Sequence, residues 1–222
     1  MYKKIDISQC RKADVIVTTG SSVVSGGIRN GIGSSVSHAM LYVGDLSVIE
    51  AIAKGVTKRS WTQAITVDGE VTLAIALRRK NMDDNARNGV VEAAMQFEGR
   101  PYDTLGAIGS ARFGDRRGGI IYGVGCAVVG PIVCNVSDAE ILKNAEDANA
   151  DKAMFCSELV TRAFTEAGYK IVEGKATWQT PGAVRNSSFL EYVGHIIDTP
   201  PKVNNLTDEE IERNSRRGYR KG

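Results

Sequence analysis

Histidine and cysteine are both scarce in this sequence: two and four residues among 222. The cysteines, Cys10, Cys126, Cys134 and Cys156, are too few for a disulfide scaffold and form no C-x-x-C pair. With only His38 and His195 beside them, no zinc-finger spacing exists, so no metal site is expected. Net charge is nearly absent too. Lys+Arg 28 against Asp+Glu 26 leaves +2, which argues against a dedicated nucleic-acid binder with its concentrated basic face. One basic cluster stands out, Arg213 to Lys221, and it reads as a solvated, flexible tail over 201–222. No apolar run follows Lys3-Lys4, so no secretory signal peptide is expected. The chain is then expected in the cytoplasm, or in a periplasm by a route that needs no signal peptide. Internal repeats and low-complexity tracts are missing as well.

What is present is an ordinary globular composition, 42% hydrophobic and 24% charged. The length fits a single domain, expected over 1–200. Asp14 to Thr19 is short and β-rich, and reads as a strand. Gly20 to Ser35 is a Gly/Ser loop. Its Gly31-Ile32-Gly33 lacks both a following Gly-Lys-Ser/Thr and a third fingerprint glycine, so no nucleotide cofactor is expected. Ser37–Val43, Leu46–Ala51, Gly55–Arg59 and Val71–Arg78 read as strands of an antiparallel meander joined by Gly/Asp turns. Asp83 or Asp84 caps a helix running to about Phe97, with Gly99 as its stop. Phe155 to Ala167 carries the best helical pattern, with Gly168 placed as a C-cap glycine. Phe189 to Ile197 reads as a last strand.

Between these elements lies an odd segment, 106–150. Its stretch Gly118–Val136 is uncharged and holds five glycines and one proline. The glycines make it a poor membrane span, because they lower both apolarity and helix propensity. It reads as an insertion packed on the core or a lid, and as a candidate for membrane contact. Ser137 and Glu140 form a capping box at the start of a further helix. Cys126 and Cys134 look like small packing residues there.

The chemistry points to Cys156. It falls in the first turn of the strongest helix, where unpaired N–H groups and the peptide dipoles favour a thiolate. A cysteine nucleophile needs a base in hydrogen-bond reach, and the base needs a partner to orient it. His38 sits on a strand-like run and Glu50 on the next. Antiparallel neighbours set such side chains side by side when they share a face. His195, on the last strand with Tyr192 nearby, reads as structural. Glu158 reads as a helix-surface or first-turn carboxylate.

Five motifs occur in order: Ala13-Asp14-Val15-Ile16-Val17; Gly33-Ser34-Ser35-Val36-Ser37-His38-Ala39; Val48-Ile49-Glu50-Ala51 with Gly55-Val56; Gly99-Arg100-Pro101-Tyr102-Asp103; and Phe155-Cys156-Ser157-Glu158-Leu159-Val160. Together, over most of residues 13–168, they resemble the circularly permuted branch of the NlpC/p60 superfamily, the YiiX/YebB-like papain-like amidases. The resemblance implies an α+β, papain-like fold: a central antiparallel sheet or half-barrel against helices, plus the insertion. It implies Cys156 as nucleophile, His38 as general base and Glu50 as its orienting partner. Tyr102, Ser37 and Ser157 become candidates for lining the substrate. The sequence departs from the pattern at Ala13, where the family usually has Gly, and in the 106–150 insertion.

The expected function is a cysteine hydrolase that cleaves an amide bond without a cofactor. Peptidoglycan peptides are the first substrate class, and an antibacterial effector with a secretion carrier and an immunity partner fits the export question. The alternatives are a lipid acyl hydrolase or acyltransferase of the same superfamily, and a catalytically silent binding module.

Overall fold

A computed structural model describes residues 2–20, 36–66, 71–104, 106–107 and 153–197. The Gly/Ser loop over 21–35, the apolar segment 118–136 with Cys126 and Cys134, the capping box at Ser137 and the tail from 198 lie outside the described residues.

The fold is α+β around one mixed seven-stranded sheet. Its strands are β1 (Lys4–Ile5), β2 (Val15–Gly20), β3 (His38–Gly44), β4 (Ser47–Ile52), β5 (Gly55–Ser60), β6 (Val71–Arg79) and β7 (Leu190–Ile196). They run in the order β1-β7-β6-β2-β3-β4-β5. Helix α1 (Trp61–Thr66) follows β5, and α2 (Asp84–Met95) follows β6. Helix α3 (Cys156–Glu166) and the short α4 (Pro181–Arg185) precede β7.

A central antiparallel sheet or half-barrel is expected from the sequence. The structure corrects this at one edge, where β1 runs parallel to β7, Lys4 opposite His195 and Ile5 opposite Ile196. A two-residue strand has no alternation to read, so it left no trace in the sequence pattern. Helix α1 was also missed, because six residues are too few to show a helical period.

Strand alternation sorts the apolar residues into two cores. Val15, Val17, Ala39, Leu41, Ile49 and Ile75 face α2 and α3, meeting Val90, Ala94, Leu159 and Phe164. Ile16, Met40, Tyr42, Val48 and Ala76 face the other way, meeting Trp61 and Ile65 of α1 and Ile5 and Ile7 of the N-terminal segment. Both faces are therefore covered, which explains why these strands read as near-continuous apolar runs.

Asp14 anchors the frame rather than the chemistry. It is fully buried, and Arg78 donates to both its oxygens, at 2.8 and 2.6 Å. The Arg11 N–H adds a third bond, at 2.8 Å. Ala13, just before it, has φ +63°. That left-handed conformation strains any residue with a Cβ, which is the physical reason for the glycine the related pattern carries there.

Candidate active site

Helix α3 delivers Cys156 to the sheet. Phe155 takes the N-cap position with extended backbone, and Cys156 opens the helix. Leu159, Val160, Ala163 and Phe164 bury one face of the helix against the first core. At the far end Gly168 has φ +83°, and the Tyr169 N–H returns to the Phe164 carbonyl at 2.8 Å. Both ends of the helix are thus fixed, as its sequence pattern predicts.

The sheet provides the partners. Pairing of β3 with β4 reaches Leu41 opposite Ile49 and goes no further toward His38. Beyond that point the Ala39 N–H donates to the Cys156 sulfur. His38 and Glu50 share the strand parity of Met40 and Val48, so both project to one face. Across that gap His38 Nε2 meets Glu50 Oε2 at 2.6 Å. Glu50 is 1% exposed and the imidazole 24%. His38 also makes a side-chain hydrogen bond to Cys156. With Nε2 given to the carboxylate, the nitrogen left for sulfur is Nδ1. The structure therefore brings Cys156, His38 and Glu50 into one row.

Arg59 extends the row and was missed in the sequence. Its Nε and Nη2 both donate to Glu50 Oε1, at 2.8 and 2.6 Å. The β4–β5 register sets Arg59 opposite Val48 and Thr57 opposite Glu50, so Arg59 reaches Glu50 diagonally on the same face. Alternation along Lys58-Arg59 could have shown that only one of the two cations faces Glu50.

The electrostatics follow from these contacts. Burial by itself pushes the Cys156 thiol up. The His38 imidazolium and the N–H groups of Ala39 and Ser157 outweigh burial and hold it below its ordinary value. Burial likewise pushes His38 down, but the neighbouring thiolate and Glu50 outweigh it and raise His38 to about 10. For Glu50 too, burial is opposed by His38 and Arg59, and the balance lies below the ordinary value. Both shifts favour a thiolate–imidazolium pair over a neutral one.

The other candidates fall in different places. Tyr102 is half-buried and bridges Met154 in a parallel pair, with the Met154 N–H on the Pro101 carbonyl at 3.0 Å. Burial raises its phenol pKa, and the Cys156 thiolate beside it adds to the effect. Ser157 is fully buried, and its hydroxyl donates to the Gln179 carbonyl at 2.7 Å. Its side chain therefore ties α3 to the loop before α4 and does not line a cleft, while its backbone N–H serves the sulfur. Ser37 is buried as well, with its N–H on the Thr18 carbonyl at 2.9 Å. Glu158 is the first-turn carboxylate of α3 and not a surface one: it is 1% exposed and ion-paired with Arg162 at 2.8 Å. His195 packs edge-on against Tyr2 and bonds Tyr192 through Nδ1, as a structural strand residue does.

An α+β scaffold presenting a buried Cys–His–Glu row is thus on hand. No family model matches the chain. It is 24% identical over 213 residues to a protein of Escherichia coli K12 named the probable lipoprotein peptidase YaeF, covering 87% of this chain and 73% of that one. Its fold is similar to the crystal structure of the metalloprotein YiiX of Escherichia coli O157:H7, with a TM-score of 0.56 and 17% identity. That match covers 84% of this chain and 97% of the other. At that identity the likeness speaks for the fold alone. As for a metal, both Glu50 oxygens are engaged by His38 and Arg59. Among the described residues no group of three His, Cys, Asp or Glu is placed to hold an ion. The Cys156 row therefore does not fit a metal centre.

Proposed function

We propose that this chain is a cysteine hydrolase of the permuted papain-like kind, cleaving an amide bond. The observation that carries the reading is the His38 ring held between the Cys156 sulfur and the Glu50 carboxylate. A base in contact with a nucleophile and oriented by a third group is the constellation that activates a thiol. The order along the chain, His38 first and Cys156 last, is that of the permuted NlpC/p60 branch.

The thiolate attacks the carbonyl carbon, a C–S bond forms, and the carbonyl electrons move onto oxygen. Backbone N–H groups at the start of α3, which have no partner within the helix, receive the oxyanion. As the C–N bond breaks, the His38 imidazolium gives its proton to the leaving nitrogen. His38, now neutral, then takes a proton from water, which attacks the thioester. Collapse of that second intermediate releases the acid and returns the thiolate.

Peptide amides of the bacterial cell wall are the first substrate class. This rests on the resemblance in the sequence motifs, and the naming of the Escherichia coli relative as a probable peptidase also points to a peptide bond. Directing the protein to a periplasm tests it: growth arrest or lysis that disappears in Cys156→Ala is expected, and an absence of both sets cell-wall peptides aside.

The chemistry itself is tested with a small thiol alkylator across pH, read by peptide mass spectrometry. Cys156 should label fast below neutral pH in wild type and slow markedly in His38→Ala. Labelling of Cys156 no faster than that of the buried Cys10 ends the reading.

A further inference from the structure

Four charged groups stand in line across β5, β4, β3 and the start of α3. Arg59 donates twice to Glu50 Oε1, Glu50 Oε2 meets His38, and His38 bonds Cys156. Glu50 is 1% exposed and Arg59 13%, so the ion pair is shielded from water on both sides. The hydrolysis steps make no use of Arg59. Neighbouring Lys58 pairs opposite Ile49, on the other parity, and cannot take its place.

We propose that Arg59 is a positioning residue whose charge, relayed through Glu50 and His38, keeps Cys156 in its nucleophilic form; the proposal rests on the cysteine-hydrolase reading and deepens it. The row alternates in sign, cation, anion, cation, anion, and sums to zero. A neutral row is the form in which charges are tolerated away from water. Without Arg59 the same row carries one net negative charge in a poorly solvated place. Removing a cation raises the pKa of every acid near it. His38 already holds its proton and Glu50 is held by His38, so the group that takes up a proton is the thiol.

The other titratable groups around the sulfur do not replace this charge. Tyr102 and Asp103 interact with the same site and bring no positive charge to it. Glu158 is engaged with Arg162 within the helix. The N–H groups of Ala39 and Ser157 stay in place whatever residue 59 is.

The test uses the full chain and needs no substrate. The rate of Cys156 alkylation by iodoacetamide is followed across pH for wild type, Arg59→Met, Arg59→Lys and His38→Ala. In Arg59→Met the titration midpoint should rise by about one pH unit. Below the midpoint that slows labelling about tenfold. Arg59→Lys keeps the charge but not the two-pronged geometry, and its midpoint should lie between the two. An unmoved midpoint in Arg59→Met, with His38→Ala still slowed, overturns the proposal and leaves the Cys156–His38 pair standing. An Arg59→Lys midpoint as high as that of Arg59→Met overturns it too. If His38→Ala also leaves the midpoint in place, the cysteine-hydrolase reading falls with it. Should Arg59→Met lack a cooperative unfolding transition, Arg59→Gln, which keeps a polar side chain beside Glu50, takes its place in the comparison.

Discussion

The Glu158 carboxylate accepts a hydrogen bond from the backbone N–H of Phe155, three residues before it. Phe155 caps α3 without a side-chain acceptor of its own. Glu158 therefore supplies the returning half of a capping box and fixes the turn that carries Cys156. Its Oε2 is buried and finds no hydrogen-bond partner among the described residues. Burial pushes its pKa up, Arg162 offsets part of the rise, and Asp103 adds to it.

Glu158→Ala should lose about 1–2 kcal/mol of stability, the usual range for losing a cap. Glu158→Gln keeps the acceptor and should lose less. The pH sign also separates them. A folded pKa above the ordinary 4.5 favours folding below 4.5, and that contribution fades as pH rises through the folded value. Urea denaturation at pH 4.5 and at neutral pH should show wild type losing ground relative to Glu158→Gln as pH rises. Parallel behaviour of the two would remove the titration from the account.

Two shifts of opposite sign bear on stability against pH. The raised His38 contributes stability that is fully present below pH 6.5 and is lost as pH rises toward about 10. The lowered Cys156 contributes stability that is present above pH 9 and is lost as pH falls below it. Over the range they share the two slopes oppose each other. Above 9 the His38 loss stands alone, at most about 1.4 kcal/mol per pH unit for one proton. Cys156→Ala removes the thiolate that raises His38, so the fall that ends near pH 10 should move to lower pH. Thermal unfolding of the two proteins across pH checks this, and identical profiles would deny the ion pair.

In an activity assay Cys156→Ala should abolish turnover. His38→Ala should lower it about 100- to 10,000-fold, the range for a general base. Glu50→Gln keeps a hydrogen-bonding group against His38 and should leave residual activity. Steady-state rates of the three, each shown to unfold cooperatively, test the roles. Full activity in Cys156→Ala would end the assignment.

Gly55→Ala should destabilise the chain by about 2 kcal/mol or more, as strained backbone and overlap add. Gly55 has φ +101°, and a Cβ there would lie 2.5 Å from the Arg100 carbonyl oxygen. That carbonyl accepts the Val56 N–H at 2.8 Å and covers the edge of β5. The hairpin that carries Glu50 and Arg59 would have to shift. Chemical denaturation gives the loss directly, and a change within error would show that the turn yields easily.

The sequence made the central strands and α3 readable because their signals are local. Strand β6 and the β3–β4 hairpin follow short apolar, β-rich runs and a Gly-Asp turn. Helix α3 follows its apolar spacing and the glycine at its end. His38, Glu50 and Cys156 were singled out because their motifs fall in a recognisable order. Arg59 was not, since its role depends on the β4–β5 register, which no single segment contains. Ser157 misled for a related reason: adjacency to the nucleophile in sequence says nothing of direction, and on a helix the next residue turns about 100° away. Glu158 is the first-turn carboxylate its position offers, while its burial depends on packing that hydropathy does not register.

Leu46→Gly should stabilise the protein even though it removes an apolar side chain. Gly44, Asp45, Leu46 and Ser47 form the β3–β4 turn, with φ +51° at Asp45 and +50° at Leu46. Two central residues in the left-handed region define the hairpin turn that favours Asp-Gly. A leucine held there is strained by about 1–2 kcal/mol. Its side chain is 50% exposed, so little burial is lost on truncation. The backbone bonds of the turn, Leu46 N–H to the Tyr42 hydroxyl and the Leu46 carbonyl to the Trp61 N–H, survive the change. Glycine's greater freedom in the unfolded chain takes back about 0.5–1 kcal/mol. That difference leaves a net gain of up to about 1.5 kcal/mol. Equilibrium urea unfolding with an unchanged slope and a raised midpoint is the expected result. A lowered midpoint would mean that Leu46 makes a stabilising contact that outweighs its strain.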